Sequence, residues 1–152
     1  MRRIAILLVL FCLPTLPSAA NLEETVAQCV TRYGKPASYA EATDKTPFGT
    51  ITFAAAGYAL TVFIFNDKEV GARVSKLDKS AFTDAELQTI LAADSGGSQW
   101  TPKPSDDPSC LEWSRSDKAT ALYDKAKHMI IFTSEEMLRA MPAPTEKPHP
   151  GN

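Results

Sequence analysis

The alternation of apolar and polar residues along the chain predicts helices that are each followed by a group of strands. Residues 22–33 place apolar side chains at steps of four, three and four, which is one stripe of an amphipathic helix. Gly34 and Pro36 then end this helix. From Thr50 the period changes to two, and this pattern predicts an antiparallel meander of three strands that ends at Lys76.

The second part of the chain repeats this order. Thr83 and Glu86 form a capping box, which predicts the start of a second helix. A connection with several prolines at 101–109 leads to a second three-stranded meander at 110–133, and Ser134 caps a short last helix. The predicted fold is therefore α+β, with the order α-βββ-α-βββ-α, in which an antiparallel β-sheet made of two three-stranded meanders is packed with two to three helices. The repetition also suggests an internal duplication.

Two of the predicted strands are apolar on both faces. Strand 58–65 has aliphatic residues on one face and Phe63 and Phe65 on the other, and strand 128–133 shows the same two-sided pattern. A sheet with one solvated face alternates more cleanly. The second face is therefore covered, either by the loop 36–48 or the last helix, or by a partner. Such a partner is a second copy of the chain, another envelope protein, or a peptide strand added to an edge.

The N-terminal residues 1–20 have the three parts of a secretory signal peptide, namely two arginines, an apolar run and small side chains that end at Ala20. We predict cleavage after Ala20 and export to the periplasm or beyond. Attachment of a lipid at Cys12 is disfavoured, because Phe11 precedes it where lipoprotein processing needs a small residue.

The composition is that of one globular domain. The 152 residues are 44% hydrophobic and 22% charged, with a formal net charge of −2 at pH 7. The chain lacks the excess of Lys and Arg that binding to nucleic acid needs, and the mature part has no apolar run long enough to span a membrane. We predict a single globular α+β domain over 21–141 and a proline-rich disordered tail over 142–152.

Two cysteines remain after the signal peptide, Cys29 and Cys110. In an oxidising compartment an even pair predicts a disulfide, here one that closes a loop of about 80 residues. A reactive thiol is the alternative, but the chain has no Cys-x-x-Cys motif. The cysteines and the two histidines, His128 and His149, do not have the paired spacing of a zinc site, so we predict no metal and no cofactor.

The sequence offers few groups for catalysis, and we predict no catalytic residue. His128 is the only histidine in the predicted domain. The alternative is a small periplasmic hydrolase or isomerase in which His128 works with a carboxylate such as Glu112 or Asp124. Trp100 and Trp113 are core anchors or, alternatively, a stacking platform for a ligand. The candidate binding surface contains four aromatic residues: Phe63, Phe65, Trp100 and Trp113.

Three short motifs carry a resemblance to known proteins. They are a helix that ends in Tyr-Gly-Lys-Pro at 33–36, Ser-x-Trp at 98–100 and Trp-x-Arg-x-Asp at 113–117. The chain resembles small exported bacterial proteins of unknown function that share them. Its order of helix, glycine, proline and meander is also similar to the outer-membrane-assembly lipoprotein BamE and to β-lactamase-inhibitor-type modules. These resemblances imply an exported, non-catalytic binding or structural protein of the cell envelope, and they assign no functional residue.

Overall fold

The computed structural model describes residues 22–44 and 46–141. In this part of the chain there are three helices and eight strands: α1 Val26–Tyr33, β1 Ser38–Ala40, β2 Gly49–Ala55, β3 Tyr58–Phe65, β4 Lys68–Lys76, α2 Asp84–Ala93, β5 Thr101–Lys103, β6 Cys110–Ser114, β7 Thr120–Asp124, β8 Met129–Thr133 and α3 Glu135–Ala140. The predicted signal peptide at 1–20 and the predicted tail at 142–152 lie outside the described residues.

The eight strands form one antiparallel sheet in the order β1-β2-β3-β4-β8-β7-β6-β5. The two halves of the chain meet in its middle, where β4 pairs with β8 and Arg73 lies opposite Ile131. Each half therefore contributes a helix and four strands, and both four-stranded units share one continuous sheet.

The predicted order α-βββ-α-βββ-α and the two three-stranded meanders are wrong, because each half has one further strand. Strand β1 pairs with β2, and β5 pairs with β6, so that both form edges of the sheet. Each has only three residues, which is too short for an alternating apolar pattern. Strand β5 also contains Pro102, which lacks the N–H group that a central strand needs and is tolerated at an edge.

Side-chain caps fix where the helices begin. The Thr83 hydroxyl accepts a hydrogen bond from the backbone N–H of Glu86, and the Glu86 carboxylate accepts from the N–H of Thr83, as the capping box predicts. Thr25 and Gln28 form the same arrangement at α1, and Ser134 caps α3. Because Thr25 is the cap, α1 begins four residues later than the apolar stripe predicts.

One face of the sheet packs against α1 and α2 and forms the core. The Tyr33 ring of α1 lies 5.3 Å from the Phe53 ring of β2. Phe82, just before α2, has its ring centre 6.1 Å from that of Tyr58 and 5.8 Å from that of Tyr123. Aromatic rings at these distances bury large apolar areas, and they join the helix layer to strands of both halves.

The second face is covered in part by the chain itself. The Phe48 ring lies 6.0 Å from the Phe65 ring, and Met137 of α3 is buried over Gly71 of β4. Both internal covers that the sequence suggests, the loop before β2 and the last helix, therefore contribute. The middle of this face stays open around the exposed side chain of Arg73.

The structure does not contain the predicted disulfide, since Cys29 and Cys110 are both free thiols. The Cys29 thiol contacts Glu69 in β4, whereas Cys110 lies in β6. Strands β8 and β7 separate β4 from β6, which puts them about 14 Å apart at the usual strand spacing. A disulfide needs Cα atoms within about 7 Å of each other, and an even number of cysteines gives no information on that distance.

We expect Gly71→Ala to lower the free energy of unfolding by about 1–3 kcal/mol, because the core beside α3 has no room for a methyl group. A Cβ atom at Gly71 would lie 2.8 Å from the carbonyl oxygen of Phe132 and 2.5 Å from the sulfur of Met137. Urea unfolding measures the loss. Gly49→Ala is the matched control, since its nearest neighbour, the carbonyl oxygen of Ala40, would be at an ordinary 3.4 Å. Equal effects of the two substitutions would contradict this packing.

Candidate functional site

Buried ionisable side chains gather at one end of the sheet, where β4 and β7 begin and β6 and β8 end. Four residues lie side by side at this end of the ladder: Gly71, Thr133, Thr120 and Ser114. Glu69 lies close by on β4, Arg115 directly follows β6, and Asp94 is the C-cap of α2. We call these side chains, together with the half-buried Glu24 and the exposed Asp117, the charged margin; its buried members are Cys29, Glu69, Asp94 and Arg115.

Backbone pairing brings Glu24 and Glu69 together although they are far apart in the sequence. The segment before α1 runs beside the start of β4. The N–H of Glu23 donates to the carbonyl of Glu69 at 2.8 Å, and the N–H of Glu69 donates to the carbonyl of Glu24 at 2.7 Å. Thr25 and Lys68 extend this short antiparallel bridge. The bridge fixes the first turn of α1 over Glu69.

The side chains of Glu24, Cys29 and Glu69 form a compact group. The Cys29 thiol donates to Oε2 of Glu69 at 3.4 Å, and Glu24 is paired with Arg32. One donor atom from each of the three residues lies within 4.8 Å of the other two. Glu69 is only 1% exposed, and its Oε1 atom is buried with no hydrogen-bond partner. These are side chains of the type that ligate metals, held in one buried place.

Burial sets the protonation of this group. The pKa of Glu69 is raised to about 8, chiefly by loss of solvation and in part by the negative charge of Glu24, against the opposing effect of the hydrogen bond from Cys29. Burial, together with the neighbouring Glu69 and Glu24, also raises the pKa of the Cys29 thiol to about 12. At neutral pH the thiol and the Glu69 carboxyl are therefore mainly protonated.

Arg115 forms the second part of the charged margin. Its Nε and Nη2 atoms donate to the two carboxylate oxygens of Asp117 at 2.9 and 2.7 Å, and its Nη1 atom donates to the backbone carbonyl of Asp94. The guanidinium carbon lies 5.0 Å from the ring centre of Trp100. Arg115 is only 8% exposed, so this paired and stacked guanidinium is part of the folded interior. The structure thus brings together Trp100 and the Arg-x-Asp part of the later motif.

Asp94 is a second buried acid. Its carboxylate lies 3.8 Å from Nη1 of Arg115, which is too long for a hydrogen bond, and neither of its oxygens has a hydrogen-bond partner. Burial raises the pKa of Asp94 to about 9, against the opposing effect of the Arg115 charge. The side chain is therefore held mainly in its neutral form, at the junction of α2 with the sheet.

A cavity of about 330 Å³ opens at the charged margin, between the segment before α1 and helix α3. Its ionisable lining residues are five acids and one base: Glu23, Glu69, Asp117, Glu135, Glu136 and Arg139. Glu135 is paired with Lys118 and Arg139, and Asp117 with Arg115. The acidic excess that remains favours cations at the mouth of the cavity.

The open part of the second face holds a groove of opposite charge. This basic groove has a volume of about 390 Å³, and it is lined by Thr52, Ala59, Thr61, Arg73, Ser75, Lys79, Lys127, His128 and Met129. Arg73 lies in the middle of the sheet, and its Nη2 atom donates to the Thr61 hydroxyl at 3.4 Å. None of the described residues that line the groove is acidic.

His128 lies in the basic groove without either of the carboxylates of the alternative catalytic arrangement. Its Nδ1 atom donates to the backbone carbonyl of Lys79 at 2.8 Å. Glu112 accepts a hydrogen bond from Ser105 at 2.7 Å, and Asp124 is paired with Lys127 at 2.7 Å. The described residues therefore do not form the histidine and carboxylate pair on which a hydrolase or isomerase would depend.

The four predicted aromatic residues do not form one surface. Phe63 and Phe65 are half-buried on the second face, where Phe48 and α3 partly cover them. Trp113 is buried in the core on the opposite face, and the Trp100 ring lies 5.7 Å from the ring of the core residue Phe132. The tryptophans are placed as core anchors.

Sequence reasoning missed Glu69, Asp94 and Arg73. Glu69 immediately precedes Val70 in a strand that alternates from there on, and Asp94 ends an apolar helix, so both look like solvated ends of elements. The available signal for Arg73 is its place in the middle of a nine-residue strand that neighbours a strand with apolar residues on both faces.

No family model and no curated protein matches the chain. Similar solved structures include a cysteine-rich secretory protein of Staphylococcus aureus, with 9% identity, a TM-score of 0.42 and coverage of 77% of this chain and 46% of that one. Another is an extracellular protein containing an SCP domain from Bacillus anthracis, with 10% identity, a TM-score of 0.45 and coverage of 78% and 45%. The chain spans less than half of either protein, and at these TM-scores neither likeness shows a shared fold or function. The resemblance to BamE and to the small exported proteins stays a prediction.

Among the described residues, no helix is both long enough and apolar enough to cross a membrane.

We expect the free energy of unfolding to fall as the pH rises from about 5 to about 8, with a chelator present. The folded protein keeps the proton of Glu69 up to its pKa of about 8, whereas the unfolded chain releases it near 4.5. Between these values the native state binds more protons, so stability decreases with pH, by up to about 1.4 kcal/mol per pH unit for this group. Urea unfolding at a series of pH values measures the slope.

Two variants test whether the Glu69 carboxyl group causes this decrease of the free energy of unfolding with pH. The side chain in Glu69→Gln is neutral at every pH, so the part of the slope that comes from Glu69 should disappear in this variant. The part that comes from Asp94 should remain. Glu136→Gln is the control, since this exposed carboxylate lines the same cavity and its removal should leave the slope unchanged. An undiminished slope in Glu69→Gln would show that Glu69 is not buried as a neutral acid.

Proposed function

We propose that this protein is an exported, non-catalytic binding protein of the cell envelope, and that the basic groove binds an anionic group of its ligand. Export rests on the predicted signal peptide, which lies outside the described residues. The binding role rests on the composition of the groove. Its ligand carries a carboxylate or a phosphate.

The observation that carries this proposal is the position of Arg73. It lies near the centre of an eight-stranded sheet, on the open face, with a threonine hydroxyl as its hydrogen-bond partner. The planar guanidinium group has several N–H donors in a fixed arrangement that matches a carboxylate or a phosphate with two parallel hydrogen bonds. No acidic residue is among the described residues that line the groove, so the N–H donors of Arg73 are free to bind an acidic group of a ligand.

The surroundings of Arg73 support the same ligand class. Lys79 and His128 line the groove with Arg73, and Lys127 lines it too, with its ammonium group paired with Asp124. The hydroxyls of Thr61 and its neighbours add donors that suit an oxyanion. On a chain with a formal net charge of −2, the positive charge of this groove is a local feature that favours anions at this face.

The groove favours binding over catalysis. Its side chains offer positive charge and hydroxyl donors, and His128 is fixed by a backbone carbonyl in place of a carboxylate. A general base in a hydrolase is usually oriented by an acid that also stabilises its charged form. The arrangement can hold an anion in a defined position, and the described residues that line the groove place no carboxylate beside His128.

Isothermal titration with inorganic pyrophosphate and with citrate tests the proposal. We expect Arg73→Ala to weaken binding about tenfold or more, since a charge-assisted hydrogen bond contributes roughly 1.5–3 kcal/mol. Added salt should weaken binding to the unmodified protein. Arg139→Ala is the matched control, because it removes the same charge from α3, outside the groove.

Two results would contradict the proposed function. One is that the unmodified protein binds neither anion, and the other is that Arg139→Ala lowers the affinity as much as Arg73→Ala. The second result would mean that net charge, and not the groove, controls binding.

A further inference from the structure

We propose that Glu24, Cys29 and Glu69 form a binding site for a divalent metal ion of the zinc type. This inference concerns the opposite face of the protein from the basic groove and is independent of the proposed function. The three residues come from α1, from the segment before it and from β4. The backbone bridge between Glu24 and Glu69 holds them together.

The distances suit a small four-coordinate ion. Zinc lies about 2.0–2.3 Å from oxygen and sulfur ligands, which puts two ligands of a tetrahedral site about 3.5 Å apart. The Cys29 sulfur and Oε2 of Glu69 are already 3.4 Å apart, and the donor atoms of all three residues lie within 4.8 Å of one another. A small inward movement of the Glu24 side chain would complete three ligands. The fourth position is left for water or another ligand.

The Glu69 carboxyl group provides the second, independent observation. It is 1% exposed, it faces the thiol, and its Oε1 atom has no hydrogen-bond partner. A buried polar atom without a partner is costly, and native proteins rarely retain one without a reason. Coordination of a metal ion through both oxygens of this carboxylate would give Oε1 a partner in the place where the protein itself supplies none.

The charges balance when the ion enters. As ligands, Glu24, Cys29 and Glu69 carry three negative charges, and the metal ion together with Arg32, which is paired with Glu24, supplies three positive charges. On coordination the S–H bond of the Cys29 thiol breaks, bonds from sulfur and oxygen to the metal form, and the thiol proton and any proton on a ligating carboxyl group leave to solvent. The site then has no net charge, so the buried ion does not carry a large desolvation penalty.

The cavity at the charged margin gives the ion a route. Glu69 lines this cavity together with Glu23 and Glu136, so its mouth attracts cations. The thiolate ligand selects the class of metal. Sulfur favours zinc and cobalt, whereas magnesium and calcium prefer sites made of oxygen atoms alone.

Cobalt(II) titration of the full chain under reducing conditions tests this site. Thiolate coordination to cobalt gives a strong near-ultraviolet absorption band, and we expect this band to appear at one equivalent and to disappear on addition of zinc. Cys29→Ser should abolish it. Cys110→Ser is the matched control and should retain it, because Cys110 lies on β6, beyond β8 and β7 from Glu69.

A further variant keeps the test decisive if Cys29→Ser does not fold. The double substitution Cys12→Ser with Cys110→Ser leaves Cys29 as the only thiol of the three in the chain. A cobalt band in this variant can come only from Cys29 and supports the site. Its absence, or a band in Cys29→Ser that matches the unmodified protein, overturns the proposal, as does stabilisation by calcium or magnesium equal to that by zinc in a thermal melt.

Discussion

The antiparallel pairing of β4 with β8 is the interaction on which the rest of the molecule depends. Five residue pairs, from Gly71 opposite Thr133 to Ser75 opposite Met129, join two four-stranded units into one sheet. The pairing makes the core face continuous, so that both α1 and α2 pack on a single layer. It also places Arg73 at the centre of the open face, and it brings the ends of β4 and β8 to the margin where the buried acids gather. Both proposed sites therefore derive from the same central ladder.

The two halves show how one scaffold supports different chemistry. Both α1 and α2 begin with a threonine capping box, and in each a later threonine hydroxyl donates to the carbonyl four residues earlier. Four residues after the cap, α1 has Cys29 and α2 has Leu87. Both side chains are buried in the core cluster, and Cys29 there also faces the Glu69 carboxyl group. The repeated order of helix and four strands is the one that an internal duplication would produce.

The sequence predicted those elements whose signal is local. Strands β2 to β4 follow from alternation over seven to nine residues, and the caps of α2 and α3 follow from side chains close to them in the chain. Strands β1 and β5 have three residues each, and they are defined by their pairing with β2 and β6 and not by a residue pattern of their own. The buried acids were missed for the same reason. Glu24 and Glu69 are brought together by a backbone bridge between segments that are far apart in the sequence. The residue pattern within either segment does not predict this contact. The prediction of a disulfide was wrong because the number of cysteines carries no information on the distance between them in the fold.

The two edges of the sheet have a consequence for how this protein avoids misassembly. Strand β1 offers only three residues, and β5 is interrupted by Pro102, which has no N–H to donate. Short edge strands and an edge proline are features by which natural sheets disfavour the addition of a further strand. Each edge strand here offers an incoming strand only a short stretch of backbone, which disfavours growth of the sheet into fibrils.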